Sequence, residues 1–359
     1  MESNDKKFKG QNFYIGIDVH KKNWKVTILN SEMKLNNFSQ DANPALLISH
    51  LNKNYPGGKF HIVYEAGFCG FEACRAFKAA GLDAIIANPL DVPTSGKEVK
   101  HKTDKVDSNK LAMTLRGGLL RAIDIPDREL EADCDLVKQR ATLVKDLGAV
   151  KNRIKGLLMK LSIPIPEQVS EGSSRSWGKD YLNWLKELKL LQPSHRLVLD
   201  NYLTQGTHLI EMLSTIKQQL KEVEKKDCYR EDCEILQSIP GIGWVGAINL
   251  RLHLGNIGRF KRLEDLNSYI GLVPSMYSSG ETVRVGSLTK RCRANLREYL
   301  VEAAWIAVRK DPVLTLRYNE LCKRMKKNKA IVRIAKSLVS RMKYLLTNRV
   351  LYQVNTYPV

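Results

Sequence analysis

The chain has 359 residues, 43% of them apolar, so it can bury more than one core, and Lys and Arg outnumber Asp and Glu by 58 to 38 for a formal charge of +20. A surplus of that size favours a polyanionic partner, while the absence of an apolar leader in MESNDKKFKG or of any apolar stretch of bilayer length excludes membrane and secreted classes and predicts a cytoplasmic protein. Seven cysteines, an odd number with no pair separated by two residues, exclude a zinc knuckle and leave reduced thiols as the expectation.

In chain order, FYIGIDV and WKVTILN read as two strands of a hairpin split by the polar HKKN, and a third short strand follows near Lys34 to Ser39. A helix from about Pro44 to Asn54, the strand KFHIVYE, the helix GFEACRAFKAAG and the strand LDAIIAN come next, ending at Pro89. Up to about residue 125 the order β-β-β-α-β-α-β-α is that of the ribonuclease H-like (RuvC-like) α/β fold. From Glu129 to Ser162 the spacing turns helical. A second long helix ends near Lys226, and its Leu209, Leu213, Ile216, Leu220 and Val223 form a heptad stripe that suits either an antiparallel coiled coil within the chain or a dimer seam. The link IPIPEQVSEGSSRSWG separates the two helices. After Asp232, ILQSIPGIGWVGAINL leads into the Gly/Ser-rich GLVPSMYSSGETVRVGSLTK and three basic helices to about residue 349. The expected domains are therefore 1–125, an α/β catalytic domain; 126–232, a helical coiled-coil region; and 233–359, a mainly α domain with a helix-hairpin-helix-like segment.

Four carboxylates carry the chemistry. Asp18 sits inside the apolar run YIGIDVHK, where alternation puts Tyr14, Gly16 and Asp18 on one strand face and Ile15, Ile17 and Val19 on the other. Glu65 ends HIVYE, and Asp104 and Asp107, three apart in KTDKVD, share a helix face. A carboxylate within a strand is costly without a cation or hydrogen bonds to compensate it. Taken singly, each acid suits a salt bridge or a cap, Asp104 most of all beside His101, Lys102 and Lys105. Taken together, four hard oxygen donors on rigid elements favour a divalent-cation site of the kind that serves phosphoryl transfer.

Other motifs are weaker. Gly241, Gly243 and Gly246 satisfy GxGxxG formally, but with Pro240 at the turn and no preceding strand they suit a helix-hairpin-helix or an ordinary helix-helix turn better than a dinucleotide site. GxSxG is not met, because Met276 occupies the first glycine position before Ser278, and the GGK at Gly57 to Lys59 fails as a P-loop with Lys53 and Phe60 in the diagnostic places. From Arg284 to Arg349, 18 Lys or Arg face 4 Asp or Glu, so much of the surplus charge lies in the last third and a nucleic-acid backbone is expected there, with a solubilising surface as the plainer alternative.

Together, YIGIDVHK, VYEAG, KTDKVDS, the PGIG segment, the long helical insert and YIGLVPSMYSSGETVRVGSLTKRCRANLREYLVEAAW resemble, across nearly the whole chain, the DEDD-type transposases of bacterial insertion sequences, the bridge-RNA- or seeker-RNA-guided recombinases. The resemblance implies a metal-binding tetrad at Asp18, Glu65, Asp104 and Asp107, loaded with Mg²⁺ or Mn²⁺, and a nucleophile at Ser279 that forms a phosphoserine link to DNA. It also implies a guide RNA that selects target and donor, and a site composed across a homodimer or homotetramer. Where many relatives carry a second glycine after the serine motif this chain has Glu281, which leaves Ser278 as the alternative nucleophile. Two other readings of the same residues are a junction-resolving, metal-dependent DNA nuclease without a covalent intermediate and a non-catalytic nucleic-acid-binding protein.

Overall fold

The computed structural model describes residues 7–89, 91–92, 104–166, 177–279, 282–289 and 294–354, with side chains for all of these except 104–106, 276–279, 282–285 and 294. The chain divides into two compact units, Met1–Ile125 and Pro126–Val359.

The first unit is built on five strands, β1 (Asn12–Val19), β2 (Asn23–Leu29), β3 (Lys34–Asp41), β4 (Lys59–Glu65) and β5 (Asp83–Ala87), in the order β3-β2-β1-β4-β5. β1 and β2 form the expected antiparallel hairpin and β2 pairs antiparallel with β3, whereas β1, β4 and β5 run parallel. Both faces are covered, which is why β1 and β4 read as near-continuous apolar runs. On one face Phe13, Ile15, Ile17, Ile62, Tyr64 and Ile86 pack against Leu47 and Leu51 of α1 (Pro44–Asn54) and Phe77 of α2 (Glu72–Ala79). Each such side chain is fully buried or nearly so, a stabilisation of about 1.5–3 kcal/mol apiece relative to exposure. On the other face, Val63 and Ala87 meet Leu111 of α3 (Asp104–Arg116).

In the second unit α4 (Arg128–Lys160) and α6 (Pro193–Glu224) lie antiparallel: Lys226, just past the end of α6, is 2.7 Å from Glu129 and 2.8 Å from Asp133 at the start of α4. The heptad residues Leu209, Leu213, Ile216, Leu220 and Val223 are buried in one core with Val137, Val150, Ile154 and Leu158. The stripe is thus occupied within the chain, which removes the exposed apolar surface that a dimer seam there requires. Between the long helices stands α5 (Lys179–Glu187), unforeseen in the sequence, held by Tyr181 and Leu185 one turn apart; residues 167–176 of the preceding link lie outside the described residues. α7 (Asp227–Ser238) and α8 (Trp244–Leu254) flank the PGIG turn. They are followed by α9 (Leu263–Ile270), the hairpin β6 (Pro274–Ser279) and β7 (Thr282–Leu288), α10 (Ala294–Lys310), α11 (Pro312–Arg324) and α12 (Lys327–Asn348).

Candidate active site

The parallel register fixes the first two carboxylates. Ile17 of β1 pairs with Tyr64 of β4, so Asp18 and Glu65 stand in the next row at the carboxyl ends of neighbouring strands, whose spacing in a sheet is about 4.8 Å. Alternation sends Ile17 and Tyr64 to the α1–α2 face and places Asp18 and Glu65, with Gly16 and Val63 one row back, on the α3 face. The chain leaves β1 toward β2 on one side and returns as β4 on the other. The pair therefore occupies the switch point where open α/β sheets form clefts.

Gly16 sets how close α3 can come. A Cβ built on it would fall 2.1 Å from the Ser108 carbonyl oxygen and 2.5 Å from the Ala112 nitrogen, so the helix backbone lies directly on β1 and no other residue fits. Hydrogen bonds hold that contact: the buried Ser108 and Thr27 hydroxyls are 2.9 Å apart, and the Asn37 amide donates to Thr27 Oγ1 at 2.6 Å. β1, β2 and β3 are thereby tied to the turn of α3 that carries Asp107, which is half-buried. Asp104 opens the same helix and its side chain lies outside the described residues.

Charge is arranged along the row. Asp18 keeps 22% of its side chain exposed, and its Oδ2 lies 3.2 Å from His20 Nε2. Lys25 is the cross-strand partner of Asp18 in the hairpin, and its Nζ donates to Ser39 Oγ at 3.2 Å. Among the described residues no three His, Cys, Asp or Glu side chains form a metal-holding cluster, a statement that takes in Asp18, Glu65 and Asp107 but not the Asp104 side chain. The donor chemistry nonetheless fits a hard divalent ion: Asp18 and Glu65 offer carboxylate oxygens on one sheet face, and Asp107 lies on the helix packed against that face.

Ser279 ends β6, and its backbone pairs with Thr282 of β7. The side chains of Ser278 and Ser279, and all of Gly280 and Glu281, lie outside the described residues. Gly241 has a packing reason for being glycine: its φ is +93° and a Cβ there would meet the Ala303 backbone of α10 at 2.5 Å. Sequence reasoning passed over Gly16, Thr27, Ser108, Lys25 and His20. Only Lys25 carried a usable signal, since it faces Asp18 across the hairpin once the register is set.

A mixed sheet of this order with helices on both faces, bearing acids at its switch point, is consistent with a DEDD-type nuclease domain. Residues 15–163 match the family model of IS110 DEDD transposases, described as "Transposase", and residues 233–319 match the one described as "Transposase IS116/IS110/IS902 family". Among relatives, the chain is 28% identical over 300 residues to the transposase for insertion sequence element IS1111A of Coxiella burnetii, a match covering 80% of each chain. It is 29% identical over 245 residues to the predicted transposase y4qE of Sinorhizobium fredii, covering 68% of this chain and 58% of that one. It is 26% identical over 257 residues to the transposase for insertion sequence element IS1533 of Leptospira borgpetersenii, covering 70% of this chain and 71% of that one. Two separate parts of the chain are thus similar to models of IS110-type transposases, and the relatives named here are transposases.

Proposed function

We propose that this chain is an RNA-guided DNA transposase that excises and integrates its own insertion sequence through a carboxylate-held metal site and a serine nucleophile. The observation that carries the reading is the shared row of Asp18 and Glu65 beneath the α3 turn bearing Asp107, in a stretch of chain that matches a model of IS110 DEDD transposases. Asp18, Glu65, Asp104 and Asp107 would hold Mg²⁺ or Mn²⁺, which when bound lowers the cost of negative charge on the phosphoryl oxygens.

This chain's own residues supply the rest. The Ser279 hydroxyl attacks a DNA phosphodiester: an Oγ–P bond forms, one P–O ester bond breaks, the serine proton departs, and the released sugar oxygen takes up a proton. Rejoining reverses the step, as a strand-end hydroxyl displaces serine from phosphorus, so bond energy is conserved throughout. His20, within hydrogen-bond reach of Asp18, orients that carboxylate. The reading requires Ser279, in the second unit, to meet the acids of the first, brought together by folding or by a second copy in a homodimer or homotetramer. The basic surfaces would hold DNA and a guide RNA through phosphate and shape rather than base edges. Among the described residues no helix is long and apolar enough to cross a membrane.

The test is strand exchange by the full chain with its co-purified RNA and Mg²⁺. Asp18→Ala and Ser279→Ala are each expected to lower the rate by on the order of 10⁴-fold. Denaturing gels should show DNA covalently attached to the wild-type chain and none to Ser279→Ala. Cleavage without an adduct in the wild type would favour the junction-resolving nuclease instead. Unchanged exchange in both variants would overturn the mechanism.

A further inference from the structure

The last three helices contain a feature that the catalytic reading does not use. α12 is split lengthwise. Ile334, Ala335, Leu338, Val339 and Met342 are buried in the core, while Arg333, Lys336, Ser337 and Ser340 follow one another at helical spacing along another stripe. That polar stripe lines one wall of a cavity of about 330 Å³, completed by Arg317 of α11 and by Leu263 and Asn267, one turn apart on α9.

Three properties make this a built site rather than a solvated face. The first is charge: Arg317, Arg333 and Lys336 converge on the cavity, no carboxylate lines it, and none of the three has an ion-pair partner among the described residues. Asp311, the nearby acid on α11's N-terminal cap, is already engaged by Arg341 and Tyr352. The second is desolvation. Burial lowers the Lys336 ammonium below its usual range and the charge of Arg333 lowers it further, so the group stands in an environment that lacks an anion. The third is an unsatisfied polar group: Asn267 lines the cavity, and its buried side-chain oxygen has no hydrogen-bond partner. Two guanidinium forks, an ammonium, the Ser340 hydroxyl and an amide are the donor set for the oxygens of a tetrahedral anion, while the Ser337 hydroxyl donates to the Arg333 carbonyl.

We infer that this cavity seats a backbone phosphate of bound nucleic acid, with Arg317, Arg333 and Lys336 as charged donors and Ser340 and Asn267 as neutral ones. The pocket fixes the register of a strand on the second unit without reading its sequence, because phosphate contacts position and base contacts specify. The inference rests on the polyanion-binding reading of the chain but not on its chemistry, so it can fail while the serine mechanism stands, and the reverse.

The experiment measures binding by the full chain in EDTA, where cleavage is silent, to a fluorescein-labelled DNA duplex and, separately, to a labelled RNA hairpin, each across a salt series. Arg333→Gln with Lys336→Gln is the test variant. Lys186→Gln with Lys217→Gln, two exposed lysines on α5 and α6, is the control that removes equal charge. Seating one phosphate predicts that the test variant loses on the order of tenfold in affinity and about one unit of the slope of log K against log salt, with the control nearly unchanged. Loss on DNA alone, on RNA alone or on both supports the pocket and names the strand it holds. Equal small losses in test and control variants on both probes overturn it, leaving only diffuse charge. Arg333 is exposed, so Arg333→Gln alone, expected to show a partial loss in the same direction, keeps the question open to refutation if the double variant folds poorly.

Discussion

The two units fix their key helices by opposite means. In the first, α3 is held on the sheet by the absence of atoms at Gly16 and by neutral hydroxyls, Ser108 to Thr27 to Asn37. In the second, α12 is held by a buried charge: the Arg341 guanidinium lies 2.9 Å from Asp311 Oδ2, Tyr352 OH contacts both, and Asp311 also caps α11 through the amides of Val313 and Leu314. The comparison teaches where each kind of latch is useful. Under the metal reading proposed above, a charge latch beside the carboxylates would compete with the cation, whereas steric contact and hydroxyls position α3 without adding a charge. In the basic second unit, a charge latch holds Arg341, which borders the phosphate cavity, away from ligand duty and leaves Arg317, Arg333 and Lys336 for it.

The comparison breaks most visibly at Asp311. Burial works against its charge, but the Tyr352 hydroxyl, the Leu314 amide and the Arg341 guanidinium together hold its carboxyl below the usual range. Asp311→Asn strands a buried guanidinium and is expected to cost about 3–5 kcal/mol in denaturant unfolding. The sign with pH follows from the lowered value. The contribution of Asp311 is fully present above the unfolded carboxylate pKa of about 3.9 and is lost as pH falls through the lower folded value. Wild type should therefore lose stability over that acid window relative to Asp311→Asn, and parallel pH profiles for the two proteins would show that the latch is not electrostatic.

Gly16 offers the next largest effect and should show no pH dependence of its own. Gly16→Val drives a branched side chain into the backbone of α3, where neither Ser108 nor Ala112 can yield without moving the helix, and about 3 kcal/mol of destabilisation is expected. Hydrogen exchange should localise the change to α3 and β1, while α12 remains protected. Uniform loss of protection across both units would mean that the units are not separately latched.

Much of this was legible in the residues and the remainder had a reason to be hidden. The β1–β2 hairpin, the turn at HKKN and the alternation that aims Asp18 follow from local pattern, and so do the long helices and the PGIG turn. The juxtaposition of Asp18 and Glu65 depends on parallel pairing between strands separated by a meander and a helix, a non-local contact that no window of sequence contains. Gly16 looked like one of the small residues of a strand; its meaning lies in a helix that arrives much later in the chain. The strands around Ser279 were masked by glycine and serine, although Val283 and Val285 in β7 carry the alternation of a strand. The short α5 escaped because two core residues one turn apart, Tyr181 and Leu185, are too few to mark a period.

The finest test of the neutral latch is Thr27. Its hydroxyl is fully buried and shared between Ser108 and Asn37, so Thr27→Val keeps the shape while removing the group both of them bond, at a cost of about 1–3 kcal/mol. Thr27→Ser keeps the hydroxyl and removes a methyl, which should cost about 1 kcal/mol in a packed interior. If the hydrogen bonds position α3, the two variants separate by function as well as by stability: Thr27→Val should lower strand exchange at temperatures where the unit is still folded, and Thr27→Ser should restore most of it. If instead packing alone sets α3, Thr27→Val should exchange strands as well as or better than Thr27→Ser, and the hydroxyl ladder would be reduced to a consequence of the contact at Gly16 rather than a second cause of it.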